Sequence, residues 1–173
     1  GIQLWSSKYP NLYLFKLILS MSGRPEDDYI DRVGFREVRI EGKDILVNGE
    51  KIYLKGFNRH EDYATVGCAI PFQLMVQDMD LMQEMNANAV RTCHYPNDER
   101  FLDLCDERGM YVWEENHARG FGLERMQNPN FDVQCRDCID EMIGNHFNHP
   151  SIIIWGILNE CASETEEGRE KYA

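Results

Sequence analysis

Ile152-Ile153-Ile154-Trp155-Gly156-Ile157-Leu158-Asn159-Glu160 is a seven-residue apolar run that breaks abruptly on an amide and a carboxylate. A run of this length without polar alternation reads as a strand covered on both faces, as in a parallel sheet or a barrel wall. Pro150 stands just before it and ends a helical stripe made of Cys135, Cys138, Ile139, Met142, Ile143 and His146.

Working back from that strand, the same alternation recurs. A strand over Met110–Glu114 leads into the glycine-rich loop Arg119-Gly120-Phe121-Gly122. Before it lies a helix from Asp98 to Arg108 with Gly109 as its stop, and before that a strand over Ala89–Cys93. Pro71 opens a further helix whose Phe72, Met75, Val76, Met79 and Met82 share one face. Asn48-Gly49 closes a tight hairpin between Asp44–Val47 and Lys51–Gly56. Strands separated by helices imply a parallel sheet with right-handed crossovers.

Two architectures satisfy this pattern. A doubly wound nucleotide-binding sheet needs a glycine-rich phosphate loop after its first strand, and Gly56-Phe57-Asn58-Arg59-His60 does not supply one. Polar groups instead collect at the C-terminal end of each strand, where (β/α)8 barrels build their sites. A whole barrel takes about 250 residues, so residues 40–173 are expected to form the first half of a TIM barrel, giving an α/β chain. Residues 1–39 read differently. Leu12–Leu19 is strand-like after the turn Tyr9-Pro10-Asn11, a polar turn is expected over Ser22–Asp28, and a second strand over Tyr29–Val38. Two strands bury too little to stand alone, so this part is expected to be the end of a β-sandwich domain.

The chain of 173 residues is 43% hydrophobic and 28% charged, the composition of a globular protein. Its net charge of −12 disfavours nucleic acid as a partner, and no apolar run reads as a membrane span or a signal peptide. The six cysteines include a Cys135-x-x-Cys138 pair without a second pair, so free thiols are expected rather than a zinc or redox centre. That points to a reducing, cytoplasmic setting.

At the strand ends stand Asn58-Arg59-His60-Glu61-Asp62, Arg91-Thr92-Cys93-His94-Tyr95-Pro96, Glu114-Glu115-Asn116-His117 and Asn159-Glu160. Parallel strands bring all of these to one rim. Glu160 follows the apolar run directly, so it is expected at the mouth of a partly dry site. There its protonated form can donate to a glycosidic oxygen and its carboxylate can then activate water.

Three of these stretches carry a family resemblance: Gly56–Glu61, Asn88–Pro96 and Asn148–Glu160 resemble glycoside hydrolase family 2, which includes β-glucuronidases and β-galactosidases. The resemblance runs from about Leu12 to the C-terminus. It implies an immunoglobulin-like sandwich before the barrel, with Gly34–Val38 similar to its final strand. It also implies Glu160 as acid/base, Asn159 as a sugar-binding neighbour, His60 and His94 as sugar-subsite residues, Arg91 as the holder of the nucleophile and Glu115 as a supporting carboxylate. The nucleophilic Glu of the family lies on a later strand, so residues 1–173 alone are expected to be inactive. Asn116–Gly120 does not match the metal-binding stretch of many β-galactosidases, so no metal and no cofactor are expected. The wording of Trp113–Gly120 is similar to bacterial β-glucuronidases. The expectation is therefore a retaining exo-β-glycosidase acting on β-glucuronides, homo-oligomeric when complete. A β-galactosidase is the alternative within the family, and a noncatalytic carbohydrate-binding fragment the alternative outside it. The latter would present aromatics on a flat face, whereas Trp113 and Trp155 lie within strands.

Overall fold

The computed structural model describes residues 1–172. After an extended N-terminal segment, β1 (Tyr13–Met21) and β2 (Arg24–Val33) form an antiparallel hairpin. The hairpin corrects the expected polar turn over Ser22–Asp28. Ser22 and Gly23 alone make the turn, at φ 52° and 77°, and the acidic residues after Arg24 lie inside β2. Two adjacent left-handed residues suit a two-residue hairpin loop, and Lys16 pairs with Asp28 across the strands at 2.6 Å. The second strand also stops at Val33 rather than Val38. Gly34 lies against Pro150, where a Cβ would meet the proline Cγ at 2.6 Å, so the chain leaves the hairpin there.

Val38 instead opens a three-stranded meander of β3 (Val38–Glu41), β4 (Asp44–Val47) and β5 (Glu50–Lys51). Asn48 and Gly49, at φ 54° and 80°, form the expected tight turn. The arm expected over Lys51–Gly56 is two pieces: β5 ends at Lys51, and the chain crosses over to begin β6 (Gly56–Arg59).

From β6 onward the elements alternate: α1 (Phe72–Glu84), β7 (Ala89–Thr92), α2 (Glu99–Arg108), β8 (Tyr111–Glu115), α3 (Leu123–Met126), α4 (Phe131–His146), β9 (Ile152–Gly156) and α5 (Glu166–Glu170). Strands β6, β7, β8 and β9 form one wholly parallel sheet in that order. Its helix-covered side is the main core. Met75, Met79 and Met82 of α1 and Phe101, Leu102 and Cys105 of α2 pack on Val90, Val112 and Ile152. Local chemistry fixes α2 at both ends: Asp98 accepts a hydrogen bond from the Arg100 amide, and Gly109 takes the left-handed C-terminal position at φ 69°. The last strand stops at Gly156, two residues short of Leu158, because β8 leaves the ladder at the Glu115–Gly156 pair.

At the N-terminal end of these strands a second core closes the barrel wall from below. Trp5, fully buried, packs with Val47, Ala89 and Tyr111, and meets the Tyr111 ring edge-on at 5.7 Å. Its indole N–H donates to the carbonyl of Asp106 at 2.8 Å. The buried Asp106 carboxylate then accepts from the Ser151 amide at 3.0 Å and contacts His149 Nδ1 at 2.7 Å. Burial alone would lower the His149 pKa, but the hydrogen bond and charge of Asp106, helped by Asp103 and Glu114, raise it overall. A histidine whose folded pKa exceeds its unfolded value stabilises the fold fully below that unfolded value and ceases to do so as pH rises through the folded one. Denaturant midpoints should therefore fall as pH rises past the ordinary value of 6.5, and His149→Gln should flatten that slope. An unchanged slope would show that His149 does not carry the effect.

Candidate active site

The rim groups are sorted by strand alternation, because successive side chains point to opposite faces of the sheet. On β8, Trp113 and Glu115 share the inner face while Glu114 points outward. Glu115 is 1% exposed, yet it is fully partnered. It accepts from Arg91 Nε at 2.5 Å and Arg91 Nη2 at 3.0 Å, a forked pair across adjacent strands β7 and β8. Its backbone amide donates to Thr92 Oγ1 at 3.2 Å.

Arg91 is the hub. Its Nη2 also donates to Asn159 Oδ1 at 2.5 Å, its Nη1 reaches Asn58 Oδ1 at 3.5 Å, and its guanidinium lies 5.4 Å from the Trp113 ring centroid. Four strand ends are thus tied to one cation. His94 Nδ1 is 3.0 Å from Glu115 Oε1 and joins the same network. His60 meets the His94 ring edge to face at 5.2 Å, and its Nδ1 is 3.4 Å from the Tyr95 hydroxyl. That hydroxyl accepts from the Glu61 amide at 3.0 Å, and burial raises the phenol's pKa. Cys93 and His94 are joined by a cis peptide bond.

Asn159 is buried and its backbone is clamped: its amide donates to the Ala118 carbonyl at 2.9 Å, and its carbonyl accepts from the Gly120 amide at 2.8 Å. The glycine-rich loop thereby sets the amide side chain toward Arg91. Glu160 comes next, with a left-handed backbone at φ 48° and an exposed side chain. The strand ends at Gly156, so a three-residue connection and a backbone reversal carry this carboxylate past the last laddered residue. Above the inner face of the sheet lies a concavity of ≈ 330 Å³ lined among others by Asn58, Arg91, Trp113 and Ile154.

Two of the rim groups belong elsewhere. Arg59 points away from the inner face, ion-paired with Asp78 at 2.9 Å, hydrogen-bonded to Asn97 at 2.8 Å and stacked 3.9 Å above the Phe101 ring. Glu114 is fully buried under α4, where it contacts His146 Nδ1 at 2.7 Å. His60, His94, Arg91, Glu115 and Asn159 are brought together at one end of the sheet, with Glu160 following Asn159 directly. Sequence reasoning missed Trp113 and Asn58 as partners of Arg91. Counting in twos from Glu115 finds Trp113, whereas Asn58 comes from the register that sets it beside Arg91 on the neighbouring strand.

All six cysteines are free, three of them buried, and Cys68 is exposed. No helix among the described residues is long and apolar enough to cross a membrane.

The known proteins that this chain resembles bear the names of sugar-cleaving enzymes. Residues 38–171 match the TIM barrel domain of glycosyl hydrolases family 2. A putative beta-glucuronidase of Formosa agariphila is 39% identical over 160 residues, covering 91% of this chain and 19% of that protein. A beta-galactosidase of Alteromonas mediterranea is 38% identical, and the chain spans 16% of it. The crystal structure of a GH2 beta-galacturonidase from Eisenbergiella tayi bound to galacturonate is 61% identical, with a TM-score of 0.93 over 99% of this chain and 31% of that one. A Bifidobacterium dentium beta-glucuronidase complexed with coumarin-3-O-glucuronide is 34% identical, with a TM-score of 0.93 over 99% of this chain and 28% of that one. The chain therefore spans under a third of each of these relatives, and it belongs to glycosyl hydrolase family 2, as part of that family's TIM-barrel domain.

Proposed function

We propose that the complete protein is a retaining exo-β-glycosidase acting on β-uronides, with Glu160 as acid/base and a nucleophilic Glu on a later strand. The observation that carries this reading is the Arg91-centred network at the ends of four parallel strands, with Glu160 beside Asn159. In a retaining mechanism the two carboxyl groups stand about 5–5.5 Å apart. Glu160 protonates the leaving oxygen as the nucleophile attacks the anomeric carbon. It then removes a proton from the water that hydrolyses the glycosyl-enzyme. Arg91, already held by Glu115, offers its remaining donor capacity to the nucleophile. Asn159, His60 and His94 offer hydrogen bonds to sugar hydroxyls. Residues 1–39 are read as the end of an immunoglobulin-like sandwich, and the complete enzyme as a cytoplasmic homo-oligomer.

The uronic acid is taken to be galacturonic acid, because the galacturonidase is 61% identical where the glucuronidases are 32–34% identical over the same span. A β-glucuronidase is the second reading, favoured by the likeness of Trp113–Gly120 to that group. Losing a charge-assisted hydrogen bond to the C5 carboxylate costs about 1.5–3 kcal/mol per contact. The complete enzyme should therefore hydrolyse p-nitrophenyl β-galacturonide at least about a hundredfold better in kcat/KM than the matching galactoside. The glucuronide, which differs at C4 alone, should fall between them. All three substrates are to be assayed side by side at one pH. A glucuronide preference selects the second reading, and a galactoside preference ends the uronide proposal.

A further inference from the structure

We propose that His60, Cys93 and His94 form a binding site for a borderline or soft transition-metal ion, Zn2+ or Cu+, at the rim of the parallel sheet. One ligand atom from each of the three residues lies within 4.8 Å of the other two. Tetrahedral zinc holds nitrogen and sulfur ligands roughly 3.3–3.8 Å apart, so small rotamer adjustments close the set. The residue types select the ion: two imidazoles and a thiolate suit Zn2+ or Cu+ and not Mg2+ or Ca2+.

The surroundings already orient the ligands. His94 Nδ1 is 3.0 Å from Glu115 Oε1. A carboxylate partner makes Nδ1 the protonated nitrogen and leaves the Nε2 lone pair free, the arrangement that orients and strengthens metal-bound histidines. His60 Nδ1 lies 3.4 Å from the Tyr95 hydroxyl, which fixes the ring, and the two imidazoles stand edge to face. The nearest cation, Arg91, has its charge met by Glu115, and the whole chain carries −12. Cys93 binds as the thiolate, its proton passing to solvent. Three protein ligands leave a fourth position for water.

The functional consequence rests on the proposed sugar-contact role of His60 and His94: an ion that claims both nitrogens withdraws them from substrate. Metal occupancy is then an off state of the site, reversed by a chelator.

Co2+ is the probe for binding, titrated into the complete enzyme. One equivalent should produce a thiolate-to-cobalt charge-transfer band with the intense visible absorption of tetrahedral cobalt. Cys93→Ser should abolish the band. His60→Gln replaces an exposed side chain by a neutral one, and it should weaken Co2+ binding at least about tenfold. Cys138→Ser is the control, because Cys138 Sγ lies 3.9 Å from His117 Nε2 and is the competing thiol–imidazole pair. It should leave the band unchanged. A band that is missing, that survives Cys93→Ser with affinity also unaltered by His60→Gln, or that disappears in Cys138→Ser overturns the site. In the complete enzyme, Zn2+ should inhibit competitively with substrate, and Cys93→Ser should relieve this. Binding without inhibition would uphold the metal site while removing His60 and His94 from the sugar-contact reading.

Discussion

Glu160→Gln in the complete enzyme is expected to lower kcat on substrates with poor leaving groups by about 10²–10⁴-fold, the usual contribution of a positioned general acid. Glutamine keeps the shape of the side chain and removes the proton. Substrates whose leaving group is an acidic phenol depart without protonation, so their glycosylation step should be nearly spared. Turnover then stalls at the glycosyl-enzyme, because the missing carboxylate is also the base for water. Azide, which needs no base, should restore turnover and yield the β-glycosyl azide. Equal loss on good and poor leaving groups, with no response to azide, would show that Glu160 is not the acid/base.

Arg91→Ala is expected to cost about 3–5 kcal/mol of stability, because it strands a carboxylate in a site with almost no water. Glu115 is 1% exposed, and both of its oxygens accept from the guanidinium. The remaining neighbour, His94, reaches only Oε1. Urea unfolding of Arg91→Ala, Glu115→Gln and the double variant forms the cycle that isolates the pair. The double variant should be more stable than Arg91→Ala, since a neutral amide in place of the Glu115 carboxylate relieves the uncompensated charge. A loss below about 1 kcal/mol in Arg91→Ala would mean that the pair behaves as a solvent-screened surface bridge.

The barrel half was legible because its elements repeat a short grammar. The run from Ile152, the Met stripe of α1 and the stop at Gly109 each report a local requirement that the tertiary structure keeps. The rim was legible for the same reason: parallel strands deliver their C-terminal residues to one place whatever the loops do. What escaped was the direction of individual side chains. Arg59 and Glu114 stand beside true site residues in sequence, and only the alternation of the strand, applied from a fixed inward residue such as Glu115, sends them into the helix layer. The acidic run Glu26-Asp27-Asp28 reads as a turn by composition, yet it continues a strand, because Ser22 and Gly23 complete the reversal two residues earlier. The last strand was overdrawn for a related reason: apolar sequence continued past the last laddered residue, so hydrophobicity overstated where β9 ends.

Trp5 has a further consequence for what counts as one folding unit. The match to the family's TIM-barrel domain begins at residue 38, but the indole that seals the strand bottoms comes from far upstream and lies against Val47, Ala89 and Tyr111. Gly109 shows how closely that upstream segment is laid down, since a Cβ there would fall 2.3 Å from the Ser7 carbonyl oxygen. A chain trimmed to the family boundary would retain every rim residue and still present an unsealed apolar hole at the opposite pole. Domain border and packing border therefore differ in this protein: the barrel match starts at residue 38, while the core beneath the strands reaches back to the tryptophan.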